Sequence, residues 1–115
     1  MRFPRSSGIL LHPSSLPGPY GIGTIGPEAW KFIDFLARAG VGLWQILPLG
    51  PTGYGDSPYQ CLSSFAGNPN LIDPGLLAEA GLASAEELEG CRAPNTGKVD
   101  FGWLFGSRRR FLDKV

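Results

Sequence analysis

Gly26-Pro27-Glu28-Ala29-Trp30-Lys31-Phe32-Ile33-Asp34-Phe35-Leu36-Ala37-Arg38-Ala39-Gly40-Val41-Gly42-Leu43-Trp44-Gln45-Ile46-Leu47-Pro48 contains the change of period that decides the fold. Ala29, Phe32, Ile33 and Leu36 recur at helical spacing, with Lys31, Asp34 and Arg38 between them, so one face is apolar and the other charged. Pro27 suits a first helical position, Glu28 suits the positive end of the helix dipole, and Gly40 supplies a stop. The pattern then shortens to the apolar run Leu43 to Leu47, a strand ended by Pro48, which cannot continue a central ladder.

Upstream, Gly8 to Leu11 is a second apolar run, bounded by Ser6-Ser7 and His12-Pro13, and reads as a fully buried strand of the parallel kind. Strand, helix, strand in this order predicts a right-handed βαβ unit. Two long connections interrupt the regular elements. Pro13 to Gly26 is rich in Pro and Gly, and Pro48 to Asp73 has no period at all. A loop of some 25 residues is unusual in a compact domain unless it is functional. Further on, Asp73-Pro74 caps a short predicted helix through Leu76, Leu77 and Ala80, which ends at Gly81. Ser84-Ala85-Glu86-Glu87 matches a capping box. After the turn-rich stretch from Gly90 to Gly97, Phe101 to Val115 reads as a helix that reaches the last residue without a stop signal.

Composition narrows the function classes. Ten Lys+Arg balance ten Asp+Glu, so the basic field expected of a nucleic-acid or anionic-membrane binder is missing. The 43% hydrophobic content argues for a packed chain. Its 17 glycines and 11 prolines follow no triplet period, so they mark shaped loops and not a collagen-like repeat. No apolar run is long enough for a signal peptide or a membrane span, and a cytoplasmic protein is the expectation. Cys61 and Cys91 stand thirty residues apart and outside any C-x-x-C motif, so both are expected as free thiols. With one His and no acidic loop there is no metal-ligand set, and a metal is not expected.

Individual motifs are weaker than they look. His12 lacks a Ser or Cys partner at a recognisable spacing and is expected to be structural. Gly21-Ile22-Gly23-Thr24-Ile25-Gly26 matches the dinucleotide fingerprint, but about ten Pro-rich residues separate it from the preceding strand, whereas the true fingerprint turns tightly. Arg108-Arg109-Arg110 reads as a solvated surface run. The segment Tyr54-Gly55-Asp56-Ser57-Pro58-Tyr59-Gln60 is different: two rings, an acid, a hydroxyl and an amide follow directly on a strand. A pyranose offers apolar faces and a rim of hydroxyls, which these groups complement. The same two tyrosines could instead pin the loop to the scaffold, and the residues alone leave both roles open. A small carbohydrate-binding module using Tyr54, Tyr59 and Trp44 is the alternative that composition allows.

Four motifs in order then carry a resemblance: Gly8 to Gly23; Trp44-Gln45-Ile46-Leu47-Pro48-Leu49-Gly50-Pro51-Thr52; Tyr54 to Gln60; and Phe65-Ala66-Gly67-Asn68-Pro69 with Leu71-Ile72-Asp73. They closely resemble the amino-terminal part of glycoside hydrolase family 77, the amylomaltases or 4-alpha-glucanotransferases. Val99-Asp100-Phe101 resembles the family's Val-Asp-Tyr segment. The resemblance implies an α/β chain forming the amino-terminal fragment of a TIM (β/α)8 barrel of the α-amylase superfamily type. Residues 1–115 would be its first two strands and the insertion that follows. At 115 residues the chain cannot itself close a barrel of about 250 residues.

The implied activity is retaining transfer of α-1,4-glucan segments, with glucan oligosaccharides as partners and no cofactor. Tyr59, Ser57 and Asp56 would line the donor-sugar wall, and Tyr54 with Phe101 an outer glucan contact. The family's nucleophile, acid/base and third carboxylate lie on later strands, so no catalytic residue is expected among these 115 and the piece by itself is expected to be inactive. His12 and Gln60 carry over as motif members only.

Overall fold

The computed structural model describes residues 4–93 and 97–115. Its elements run β1 (Gly8–Leu10), α1 (Pro27–Arg38), β2 (Leu43–Gln45), α2 (Pro74–Glu79), α3 (Ala85–Glu89) and α4 (Phe101–Leu112), with short 3-10 turns at Pro13–Ser15 and Pro69–Leu71. β1 and β2 pair in parallel, with Gly8 opposite Leu43, Ile9 opposite Trp44 and Leu10 opposite Gln45. The expected βαβ order is therefore present. Both strands are shorter than the apolar runs that announced them, although the Leu11 amide still donates to the Gln45 carbonyl at 3.0 Å.

The strands are not fully buried, which corrects the sequence reading. Leu10 is 57% exposed and Leu43 58%. Alternation along each strand turns Ile9 and Trp44 to one face, where the Trp44 ring meets Phe32 of α1 edge-on at 5.0 Å. The opposite face, carrying Leu10 and Leu43, has no layer against it among the described residues. A parallel pair needs both faces covered to bury its apolar run.

Helix ends follow the sequence signals closely. Gly26 is the N-cap of α1, Pro27 its first residue, and Lys31 pairs with Glu28 at 2.6 Å. Gly40 has φ +69°; its amide donates to Ala37 and that of Val41 to Leu36, a Schellman closure. The same pattern ends α2, with Gly81 at φ +76° and bonds from Gly81 to Ala78 and from Leu82 to Leu77. Asp73 caps α2 through the Leu76 amide, and Ser84 with Glu87 forms the complete capping box of α3. α4 is capped by Asp100 and closes at Leu112 with Asp113 as C-cap, so it does not run on to Val115 as the sequence reading had it.

The best-packed region lies away from the strands. Tyr20, Cys91 and Phe111 form a core cluster against Leu77, Ala83, Leu88 and Leu112. The loop after β1 is thus clasped by the helices at the other end of the chain: Ala93 donates to Pro19 at 2.9 Å, and Trp103 lies over Gly21, whose φ of +78° suits glycine alone. Among the described residues no helix is long and apolar enough to cross a membrane.

Candidate functional site

The loop from Pro48 to Asp73 leaves the carboxyl end of β2 and is held at both ends. The His12 ring bridges from the β1 loop: Nδ1 accepts from the Ser14 amide, which makes Nε2 the donor to the Pro48 carbonyl at 3.3 Å. This is the structural role the sequence suggested for His12. At the loop's neck the Asn68 amide donates to Leu49 at 3.0 Å, while the Asn68 side chain caps the 3-10 turn. Ile25 then donates to Leu71 at 2.8 Å, and the Thr24 hydroxyl donates to the Asp73 carboxylate. Within the neck an antiparallel bridge joins Thr52 to Cys61, and the Cys61 thiol donates to the Ser63 carbonyl at 2.6 Å. A Cβ at Gly50 would strike the Cys61 sulfur and press on the Ser63 carbonyl, so a side chain there would displace the thiol at the bridge.

Beyond the bridge the chain makes two tight turns. Asp56 donates to Gly53 at 3.2 Å across Tyr54-Gly55, with Gly55 at φ +91° in the place where a type II turn needs a positive φ. Asp56 itself sits at φ +53°, a conformation that Asp tolerates better than most side chains, and its carboxylate accepts the Thr52 hydroxyl at 3.4 Å. Gln60 donates to Ser57 at 3.0 Å to close the second turn. These turns turn the rings outward. Tyr54 is fully exposed and Tyr59 is 72% exposed, with Asp56 and Ser57 half-buried between them. Neither ring packs against the scaffold among the described residues. Phe65 adds a third fully exposed ring, its turn held by the Ser63 hydroxyl accepting from the Phe65 and Ala66 amides.

Phe101 stands apart from this group. As the first residue of α4 it lines, with Ser14, Leu16, Gly21, Gly23 and Val99, a cavity of about 590 Å³ at the β1 loop. Tyr54, exposed all round, does not stack on it within this structure. Trp44 is committed to the scaffold, its Nε1 donating to Leu11 at 2.7 Å, so it is not available to a sugar as the binding-module alternative required. The glycine-rich Gly21 to Gly26 turn is likewise spoken for. Gly23 donates to Ser14 and Ile25 to Leu71, and a Cβ at Gly23 or Gly26 would collide with Leu16 or Asp73. Amides used this way cannot cradle a pyrophosphate.

Two side chains of consequence escaped the sequence reading. Phe65 was visible only as a motif member. Arg108, read as part of a solvated run, is 3% exposed and donates from Nη1 to the Ile72 carbonyl at 3.3 Å. The available signal was helical spacing, since Leu104, Ser107, Arg108 and Phe111 form the buried face of α4. Arg109 and Arg110 are exposed, as expected. Both cysteines are free. Among the described residues no three His, Cys, Asp or Glu side chains cluster as a metal site.

Comparison with known proteins gives one answer. The profile of a family described as 4-alpha-glucanotransferase matches residues 11–115. The chain is 58% identical over 105 residues to the 4-alpha-glucanotransferase of Thermus thermophilus, covering 91% of this chain and 20% of that protein. It is 51% identical over 112 residues to the enzyme of Streptococcus pneumoniae, covering 96% and 22%. Among solved structures, amylomaltase from Streptococcus agalactiae in complex with acarbose superposes with a TM-score of 0.90 at 46% identity, over 96% of this chain and 23% of that one. The chain therefore spans about a fifth of the length of the curated relatives it matches.

Proposed function

The chain belongs to the 4-alpha-glucanotransferase family, and on that premise we propose that its Pro48–Asp73 loop is one wall of an α-1,4-glucan groove at the carboxyl-terminal rim of a (β/α)8 barrel. Residues 1–115 supply the first two strands and the following insertion. The observation that carries this reading is the exposure of Tyr54 and Tyr59 on a loop with a closed neck, directly after a parallel strand. Active sites of such barrels lie at that end of the strands. The acarbose held by the Streptococcus agalactiae relative supports a saccharide as the ligand class.

In this reading Tyr59 lies on the donor sugar, Ser57 and Asp56 bond its hydroxyls, and Tyr54 makes an outer glucan contact, with Phe101 a separate ring at the start of α4 that a long glucan would reach. Burying about 60 Å² of pyranose face on each ring contributes about 1.5 kcal/mol per tyrosine. The transfer itself, attack of a carboxylate on the anomeric carbon and capture of the glycosyl-enzyme by a glucan hydroxyl, uses carboxylates outside these residues. Asp73 is not one of them, because both its oxygens are engaged by Leu76 and Thr24.

The test has two parts. Incubated with maltotriose, the 115-residue chain should yield no glucose or longer oligomers above background, and turnover would overturn the assignment of the carboxylates. Spliced into the Thermus thermophilus enzyme in place of its matching segment, the chain should support transfer. Tyr59→Ala in that spliced enzyme should lower kcat/KM by about tenfold, and an unchanged value would remove Tyr59 from the wall.

A further inference from the structure

Arg108 is the least expected buried group in the molecule. Its Nη1 donates to the Ile72 carbonyl, its Nη2 is buried with no hydrogen-bond partner among the described residues, and no carboxylate there pairs with it within ion-pair distance. Asp73, 7% exposed, is the adjacent residue to the one it grips, but spends its oxygens on Leu76 and Thr24. Burial pulls the guanidinium below its ordinary proton affinity, and Cys91, Asp73 and Tyr20 act against that pull. A cation removed from water with so few direct partners is costly to bury, and in such sites an apolar side chain of like volume is often as stable or more so. Stability therefore does not account for it, whereas position does.

Ile72 is the last residue of the exposed loop before the α2 cap. Of the neighbouring anchors, Asn68 closes the loop on its own first residues at Leu49, and Leu71 and Asp73 join it to Ile25 and Thr24 of the amino-terminal half. Arg108 joins it to α4, and so fixes the loop against the α2–α4 lobe. We infer that Arg108 is a positioning residue for the glucan-facing loop, acting on the sugar only through the Ile72 carbonyl and the stance of the loop it sets. The inference deepens the proposed function and rests on it for its catalytic consequence.

Two readouts test it, the first independent of activity. In the 115-residue chain, Arg108→Met should speed amide exchange at Ile25 and Asn68, whose bonds anchor the loop, by about tenfold, while Val41 and Leu82, in the two Schellman closures, keep their rates. Arg108→Lys, still able to donate to the carbonyl, should exchange like the parent. Unchanged rates at Ile25 and Asn68, or equal acceleration at all four amides, would overturn the inference, the latter by showing a general loss of stability. In the spliced enzyme Arg108→Met should raise the KM for maltotriose about fivefold with kcat retained, and Arg108→Lys should restore it. A parallel fall in kcat and folded fraction with unchanged KM would also overturn it. If the spliced parent is itself inactive, the proposed function fails, and the exchange rates still decide whether Arg108 holds the loop.

Discussion

Cys61 and Cys91 are the same thiol in opposite surroundings. Cys61 lies half-buried in the loop neck, whereas Cys91 is 3% exposed in the core, where burial pushes its ionisation up despite Arg108 nearby. A disulfide reagent should therefore label Cys61 first and reach Cys91 only on opening of the fold, at a rate at least about a hundredfold lower; comparable rates would contradict the core assignment. Tyr20 in the same cluster is also raised, by burial first and by Asp73 second. For both groups the unfolded chain loses its proton before the folded one. Their contribution is complete below the ordinary values of 9.0 and 10.0 and is lost as pH rises through the higher folded values. Denaturant midpoints should fall on the alkaline side, and Tyr20→Phe should remove the Tyr20 share of that fall. At this scale the sequence was legible where chemistry is local, as in Gly55 or the His12 cap. Arg108 was not, because three consecutive arginines present a charge run in one dimension and a single buried member only once helical spacing and a partner are both known.

Elements were legible to the extent that their limits are written in neighbouring residues. The first three helices begin at the caps read from the sequence, Gly26, Asp73 and Ser84, whereas the Asp100 cap of α4 went unread, and α1 and α2 end by the same two-bond closure over glycine. Strand lengths were over-read, since an apolar run extends as far as its composition while a ladder extends only as far as its partner. Asp73 shows how much one cap can carry. Asp73→Asn keeps an acceptor for the Leu76 amide but removes a charge that supports the buried Arg108 cation, and should lower the urea midpoint. Combining it with Arg108→Met should recover most of that loss in urea unfolding, and additive losses would show that the two groups do not interact. Asp73→Ala should be worse than Asp73→Asn by about 1 kcal/mol, the worth of the cap.

Across the whole molecule the packing is lopsided. The lobe around Tyr20 and Phe111 has a closed core, while among the described residues the sheet shows two open edges and the apolar face of Leu10 and Leu43. Exposed edges and apolar faces invite association. The 115-residue chain should bind a hydrophobic dye and sediment as more than one species, and adding the separately produced remaining segment of the Thermus thermophilus relative should suppress both; a monomeric, dye-free chain would show that the sheet needs no cover. The sequence showed the parallel pair but could not show which face would lack a neighbour, because that depends on residues the pair does not contain.

The parallel pairing of β1 with β2 also has a meaning in time. Gly8 meets Leu43 only after the intervening helix has been made, and glycine at position 8 leaves its would-be Cβ 3.1 Å from that of Leu43. In a relative of which this stretch is a fifth, a ribosome adding residues at about 5–20 per second needs on the order of tens of seconds to deliver the rest. Over that interval the face of Leu10 and Leu43 has nothing among the described residues to cover it. The helix α1, complete within this stretch, already covers the Trp44 side of the pair through Phe32, so one side of the sheet has its neighbour long before the other.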